Sequence, residues 1–383
     1  MPEALRGIYD EEKYRKSQDY FMANLRFGSL KATFSLFIVL SFLLLGGFQF
    51  LDEWVRQFTE HPILLALMFF GIIGIVSDLI STPFDVYDTF VIEEKFGFNR
   101  TTVKTYITDK IKGWLLAVII GGGLLAIFVW FFQLAGNLFW LYAWLLLTTV
   151  SVFMVMFYST LIVPLFNKQT PLEAGELRDA IQEFSAKVGF KLDNIYVIDG
   201  SKRSSKANAY FSGLGPKKRI VLFDTLIKEH TTEELVAILA HEIGHYKNNH
   251  ILKGMVVSGI SSAVMLYLLG LFINRPELSM ALGVDQSSIH IGLIAFGMLY
   301  SPVTSILAIA GNLMSRHHEY QADAFAAIHY KALPLEQALK KLSVNNLSNL
   351  MPHPLHVFVN YSHPPLLQRL NNLTKYKESS MME

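Results

Sequence analysis

Apolar residues are grouped along this chain into long runs, each close to the length of a membrane-spanning helix. A helix needs about 20 predominantly apolar residues to cross the hydrocarbon core of a bilayer. Six runs approach this length, at about 33–51, 62–82, 114–134, 138–165, 254–273 and 290–312. One such run could be a buried core helix, but six in one chain predict a polytopic helical membrane bundle. The expected fold class is therefore mainly α.

Between the fourth and fifth runs, at 166–253, the pattern changes to that of a compact, more polar module. Short strand-like segments occur there at 195–198, 208–211 and 219–223, separated by glycine and proline. Segments of this length with turn residues between them are typical of a small sheet. We therefore expect a small β-sheet, followed by a helix, inserted between membrane spans.

These patterns divide the chain into four parts. The first, 1–165, holds four spans and a polar loop at 83–113. The second is the inserted module at 166–253, and the third, 254–312, holds two further spans. In the last part, 313–383, we expect a helix that continues beyond the bilayer surface, followed by a C-terminal tail.

Composition agrees with a membrane location. Hydrophobic residues make up 52% of the chain, charged residues only 17%, and the formal net charge is +1. No basic patch indicates nucleic-acid binding. The sequence contains no cysteine, which excludes disulfides and thiolate metal ligands. Basic residues are concentrated before the first span and in the 83–113 loop. The positive-inside rule therefore places both segments, the inserted module and the C-terminal tail on the cytoplasmic side.

A candidate metal site lies near the end of the inserted module, where His241, Glu242 and His245 follow the pattern H-E-x-x-H. Thr231 and Glu234 form a capping-box pattern before it, and regularly spaced apolar residues follow, so a helix is predicted. Residues at i and i+4 share one helix face, which lets both imidazoles reach one metal ion with the carboxylate beside it. Because the motif also occurs by chance, it favours zinc hydrolysis without establishing it.

A third ligand is expected from the helix that extends the sixth run. Glu319 and Asp323 lie at i and i+4, which suits one ligand and one carboxylate that orients a ligand histidine. His317, His318, His329 and Asp323 itself are rival third ligands. A solvated acidic face would show the same spacing, so the residues alone leave this choice open.

Two further features concern the substrate and the membrane interior. The segment 204–211 is a candidate sheet edge to which a peptide could add as a strand, although an ordinary hairpin strand would look the same. Asp78 lies within the second apolar run and is costly against lipid. It is expected to face a wet interior, or to lie close enough to the interface to be solvated.

Three classes of function are compatible with a metal motif in a membrane protein. A zinc protease needs Glu242 as a base beside an open coordination position. A metal transporter would hold its ligands within the spans, near the middle of the bilayer. A non-catalytic scaffold would close its zinc site with four protein ligands and would have no task for Glu242. The position of the motif outside the predicted spans favours the protease.

The combination of these motifs strongly resembles the type I CAAX prenyl protease family of integral-membrane zinc metalloproteases. The likeness extends over nearly the whole chain and includes His241 to His245, Glu319 with Asp323, and the segments 89–100, 204–211 and 363–369. It implies a helical bundle that encloses a chamber, with an inserted gluzincin-like module. It also implies Zn2+ as cofactor and a polypeptide substrate that is lipidated or otherwise associated with the membrane.

Residue by residue, the resemblance implies that His241, His245 and Glu319 are the zinc ligands. Glu242 would be the general base. Asp323 would orient His241 from the side of the ring that faces away from the metal.

The resemblance also assigns three residues to the substrate. Asn208 would hold the substrate backbone at the sheet edge, and His363 would donate to the developing oxyanion. Arg369 would support His363 or a substrate carboxylate. The implied reaction is cleavage near the C-terminus of prenylated proteins, releasing the last three residues after the lipidated cysteine.

Two expectations qualify this resemblance. Members of the family have seven spans, whereas about six are predicted here, so we expect either a truncated chain or a member that lacks the family's first span. In a host that does not prenylate proteins, the same apparatus would clip misfolded or stalled membrane proteins. The host membrane would be the endoplasmic reticulum or a bacterial inner membrane.

Overall fold

The computed structural model describes residues 6–190, 195–213 and 218–380, and most of them are helical. The helices are, in chain order, α1 (Glu11–Leu44), α2 (Gly47–Arg56), α3 (Pro62–Tyr87), α4 (Glu94–Phe96), α5 (Val103–Leu116), α6 (Gly123–Ala135), α7 (Phe139–Leu161), α8 (Val163–Phe166), α9 (Glu176–Lys187), α10 (Asp224–Glu229), α11 (Thr232–Lys247), α12 (His250–Phe272), α13 (Pro276–Met280), α14 (Ile289–His329), α15 (Ala332–Asn345), α16 (Pro354–Asn360) and α17 (Leu366–Ser380). The strands are β1 (Gln169–Pro171), β2 (Ile195–Ile198), β3 (Ala209–Ser212) and β4 (Arg219–Phe223).

Five helical stretches in the described part of the chain are long and apolar enough to cross a membrane. They are Glu11–Leu44, Pro62–Phe96, Val103–Phe166, His250–Phe272 and Ile289–His329. The predicted fold class, a mainly α-helical membrane bundle with a small inserted sheet, is therefore confirmed.

The stretch from Val103 to Phe166 contains two of the predicted apolar runs. The chain reverses between α6 and α7 at a single 3-10 turn, where Gly136 has a φ of 51°. The rings of Phe131 and Tyr142, on either side of the turn, lie with their centroids 5.6 Å apart. In one continuous helix they would be about 16 Å apart along the axis. Two antiparallel helices therefore account for the two runs.

The bounds predicted for the first span, 33–51, are wrong. Helix α1 already begins at Glu11, where the Asp10 side chain accepts a hydrogen bond from the backbone of Lys13, and it ends at Leu44. After the left-handed Gly46 the chain starts a separate helix, α2. Hydropathy detects only the apolar part of a helix, so the polar first half of α1 was missed.

The outer faces of the membrane helices are apolar. Val118, Ile119 and Ile306 are 72%, 69% and 68% exposed. Contiguous apolar surface on this scale is covered in the cell, and lipid covers it in a membrane bundle. The opposite faces pack into a core of their own that includes the fully buried Phe69 and Phe139.

Asp78, which was expected to face a wet interior or the interface, has two polar partners. Its Oδ2 accepts a hydrogen bond from Trp114 Nε1 at 3.0 Å and lies 3.0 Å from Lys110 Nζ. The carboxylate is 31% exposed. These contacts join α3 to α5, and the opposite charge offsets the cost of an acid within an apolar helix.

The four strands form one mixed sheet in the order β1-β2-β4-β3. The central pair, β2 and β4, is parallel, with Tyr196 opposite Val221. β3 runs antiparallel to β4, with Tyr210 opposite Val221. β3 therefore lies at one edge of the sheet, and no described strand pairs with its outer side.

Helix α11 is the central element of the module that carries the sheet. Its N-terminus has the predicted capping box, in which the Thr231 hydroxyl accepts from the Glu234 backbone and the Glu234 carboxylate accepts from that of Thr231. Leu239 and Ile243 are fully buried on its apolar side. The helix packs against α9, α14 and α15.

The contact between α11 and α14 is unusually close at Gly244. A Cβ atom added there would lie 3.0 Å from the Ala322 Cα and 3.1 Å from the Phe325 Cβ. Only glycine lets the two helix backbones approach to this distance.

We predict that Gly244→Val forces α11 and α14 apart. Overpacking of this kind costs about 1–3 kcal/mol. The midpoint of thermal unfolding in detergent should fall by a few degrees. Gly297→Val is the matched control because no atom lies within 4 Å of a Cβ added there. Equal behaviour of the two variants would contradict the close contact.

Candidate active site

Two imidazoles face each other near the end of α11. His241 and His245 are one helical turn apart, and their Nε2 atoms are 3.1 Å from each other. His241 is buried, whereas His245 is partly accessible. The helix thus presents both rings on the face that packs toward α14, as the H-E-x-x-H spacing predicts.

Helix α14 brings a carboxylate to the same place. Glu319 lies about 45 Å along this helix from Ile289, which is farther than the roughly 30 Å thickness of the hydrocarbon core. Its Oε1 is 3.2 Å from His245 Nε2, and its Oε2 is 3.5 Å from His241 Nε2. The close approach of α11 and α14 at Gly244 makes these distances possible.

The side chains of His241, His245 and Glu319 form a possible metal-binding group. Each offers one ligand atom, and these atoms all lie within 4.8 Å of one another. In the described part of the chain this is the one such group of three or more. The rival third ligands lie outside it: His317, His318, His329 and Asp323.

The chemistry of this group fits a bound cation. Glu319 Oε2 is buried and accepts no hydrogen bond from the described residues. Asp323 accepts the Nδ1 hydrogen of His241, which leaves a lone pair on the His241 Nε2 that faces His245. A divalent metal bound here would take up this lone pair and would satisfy the buried carboxylate oxygen.

Asp323 and Arg369 lie directly behind His241. Asp323 Oδ1 is 2.9 Å from His241 Nδ1, and Arg369 donates to both Asp323 oxygens, at 2.9 and 2.6 Å. Burial alone would lower the pKa of Arg369, yet the Asp323 and Glu319 carboxylates hold this pKa above its ordinary value. Arg369 thus contacts Asp323, and support of His363 or of a substrate carboxylate stays a prediction.

A cavity of about 540 Å³ opens on the possible metal-binding group. Glu242 lines this cavity together with His241, His245 and Glu319. Burial raises the pKa of the Glu242 carboxyl above its ordinary value. A raised pKa makes the Glu242 carboxylate a better proton acceptor.

All three residues assigned to the substrate, Asn208, His363 and Arg369, line the same cavity. His363 is 65% exposed, with its Nε2 3.4 Å from Glu319 Oε1. Asn208 is exposed and precedes β3, the strand with the open edge. Its backbone carbonyl accepts from Phe223, which ties it to the sheet. The structure therefore brings His363 and the open strand edge to one cavity.

The segment 89–100 holds the chain that leads into β3. The backbone N–H of Ser205 donates to the Phe98 carbonyl at 3.0 Å. Lys206 lies 2.8 Å from Glu93 Oε2. The segment 89–100 thus fixes the position of the segment 204–211.

Sequence analysis missed two residues beside the site, His250 and Gln321. His250 Nδ1 is 2.9 Å from His245 Nδ1, and His250 Nε2 is 2.8 Å from Gln321 Oε1. His250 follows a break in the helix at Asn249, which has a φ of 56°. Helical periodicity does not predict where a side chain points after such a break, so no local signal identified it.

Known proteins resemble this chain over nearly its whole length. Residues 1–168 match the family described as CAAX prenyl protease N-terminal, five membrane helices, and residues 171–377 match peptidase family M48. CAAX prenyl protease 1 of Saccharomyces cerevisiae is 37% identical over 405 residues, covering 99% of this chain and 89% of the relative. The CAAX prenyl protease 1 homolog of Homo sapiens is 34% identical over 424 residues, with coverage of 99% and 89%.

A solved structure is similar as well. The crystal structure of S. mikatae Ste24p superimposes with a TM-score of 0.93 at 36% sequence identity, covering 97% of this chain and 91% of the other. Sequence and fold thus agree over both the membrane helices and the module that carries the histidine pair. The chain therefore belongs to peptidase family M48 and is an integral-membrane metallopeptidase with the N-terminal membrane region of the CAAX prenyl proteases.

Proposed function

We propose that the protein is a zinc endopeptidase that cleaves prenylated polypeptides near their C-terminus, after the lipidated cysteine. The observation that carries this proposal is the group formed by His241, His245 and Glu319 at a cavity lined by an open strand edge. The relatives from yeast and human are named CAAX prenyl proteases, which supports a lipidated substrate. The cavity would face the cytoplasmic side, as the distribution of basic residues indicates.

Zinc is the metal that best suits the ligand set. Two histidines and one carboxylate are used by catalytic zinc sites that keep a further position open. His241, His245 and Glu319 would hold the ion. When bound there, zinc supplies Lewis acidity toward a carbonyl oxygen and lowers the pKa of water toward neutrality.

Glu242 would carry the proton transfers. It lines the cavity next to the ligand histidines, where it can accept a proton from the attacking water and deliver it to the leaving amine. Asp323 would hold the Nδ1 hydrogen of His241, so that its Nε2 stays available as a ligand. Arg369 would keep Asp323 ionised by donating to both of its oxygens.

His363 and β3 would position and polarise the substrate. An extended peptide can add to the outer edge of β3 with the backbone hydrogen bonds of a further strand, beginning beside Asn208. In the same cavity, His363 Nε2 would donate to the oxyanion that develops on the scissile carbonyl. The scissile bond would thus lie between a fixed backbone and a hydrogen-bond donor.

The alternative functions are supported less well. A structural zinc site is normally closed by four protein ligands, whereas the described residues supply a group of three with Glu242 beside it. A transport site would lie near the middle of the bilayer. His241 and His245 are instead on α11, which is not among the helices apolar enough to span a membrane.

The test uses the purified full-length protein in detergent, with zinc content measured for every sample. A farnesylated peptide that ends in a cysteine and three further residues is compared with the same peptide without the lipid. Mass spectrometry should detect release of the last three residues from the farnesylated peptide, and a chelator should abolish it. Equal cleavage of both peptides would instead support the alternative function, the clipping of misfolded or stalled membrane proteins.

Glu242→Gln should lower the turnover rate by about 10²–10⁴-fold while zinc remains bound, because an amide of the same size cannot accept the proton. The matched control is Glu233→Gln on the same helix, since Glu233 is 61% exposed and pairs with Lys331 away from the cavity. Undiminished turnover of the Glu242→Gln variant at full zinc occupancy would rule Glu242 out as the base.

His363→Ala should reduce kcat by about 10²-fold or more, with a much smaller effect on KM, because a donor to the oxyanion acts mainly in the transition state. Steady-state kinetics on the farnesylated peptide measure both constants. His356→Ala, in the preceding helix α16, is a suitable control because His356 does not line the cavity. An unchanged kcat for His363→Ala would remove this residue from the site.

A further inference from the structure

The two ligand histidines are supported in different ways. His241 is backed by a carboxylate, that of Asp323. His245 has no carboxylate behind it among the described residues. Its Nδ1 instead lies 2.9 Å from the Nδ1 of a third imidazole, His250.

Gln321 sets the direction of the hydrogen bonds at His250. Its Oε1 can only accept, and it lies 2.8 Å from His250 Nε2, which therefore carries the hydrogen. The Gln321 amide nitrogen can only donate, and its partner is His317 Nε2 at 3.1 Å. A histidine ring nitrogen can donate or accept, so both ends of the Gln321 amide are satisfied in this orientation.

The position of the hydrogen on His250 determines which nitrogen of His245 carries a lone pair. A neutral imidazole with its hydrogen on Nε2 has a lone pair on Nδ1, so His250 accepts the Nδ1 hydrogen of His245. The lone pair of His245 then lies on Nε2, which faces Glu319 Oε1 at 3.2 Å. The reverse direction would put a hydrogen on His245 Nε2 and block coordination there.

The surroundings of His250 hold its ring in the required plane. The ring is buried, with 6% of the residue exposed. It stacks on His318 with centroids 3.9 Å apart and an angle of 8° between the planes. Gln321 lies on α14 between Glu319 and Asp323 in sequence. The same helix therefore supplies Glu319, the Asp323 carboxylate behind His241 and the amide that orients His250.

We propose that His250, oriented by Gln321, is a positioning residue that holds the His245 Nε2 lone pair toward the metal. The inference rests on the proposed metal site and adds to it a second, uncharged support. Metal ligands whose outer hydrogen bonds are removed typically lose 10–100-fold in affinity, and an uncharged acceptor performs this task without placing a second carboxylate behind the ligands.

The test measures zinc affinity by chelator competition on the full-length protein in detergent. His250→Phe keeps the ring and its stacking but removes both nitrogens, so the affinity should fall by about 10-fold or more. Gln321→Met should lower the affinity in the same direction. His250→Asn, which places an amide oxygen near the former Nδ1, should recover part of the loss. His318→Phe retains the stacked pair and should bind zinc like the wild type.

A spectroscopic measurement separates positioning from packing. In the cobalt-loaded protein, the visible absorption bands report the ligand field. They should shift in His250→Phe but not in His318→Phe, while the thermal midpoint of the metal-free protein stays the same in both. Should His250→Phe fail to fold, Gln321→Met provides the comparison, because it removes the acceptor that orients His250.

Zinc affinity within twofold of wild type for His250→Phe and Gln321→Met, or an equal loss in His318→Phe, would overturn the inference while leaving the metal site intact. A wild-type protein that binds no stoichiometric zinc would instead overturn the proposed function itself.

Discussion

The close contact of α11 with α14 is the constraint on which the candidate site depends. One helix carries both histidines and the other carries Glu319, and neither alone holds the whole possible metal-binding group. Gly244 lies between the histidines on α11, and a Cβ there would meet the Ala322 backbone at 3.0 Å. The absence of a side chain at this one position therefore fixes the distances between the ligand atoms.

Bringing these helices together also gathers charge in a buried place. Glu319 and Asp323 are almost completely buried, and buried carboxylates are costly unless they are paired. Arg369 is the compensating cation, since it donates to both oxygens of Asp323 and lies 3.4 Å from Glu319 Oε2. The remaining negative charge faces the histidine pair, where a divalent metal would balance it. Arg369 and Asp323 thus offset the cost of buried charge and also hold His241 in place.

Sequence patterns predicted the local features and missed the long-range ones. The capping box at Thr231 and the H-E-x-x-H spacing act within one helix, so periodicity was sufficient to predict them. The choice of Glu319 over its rivals required the family resemblance, because helical spacing does not determine which distant helix packs against α11. His250 was missed because the chain breaks at Asn249 before returning toward His245. The start of α1 was misplaced because its first half is polar.

The central claim is that three side chains hold one metal and leave a coordination position open. Diffraction data collected on either side of the zinc absorption edge, from crystals of the purified protein, test it most directly. The account predicts a single anomalous peak per chain, bonded to the Nε2 atoms of His241 and His245 and to the carboxylate of Glu319, with no fourth side chain. A peak bonded to four side chains, or one that lacks Glu319, would contradict it.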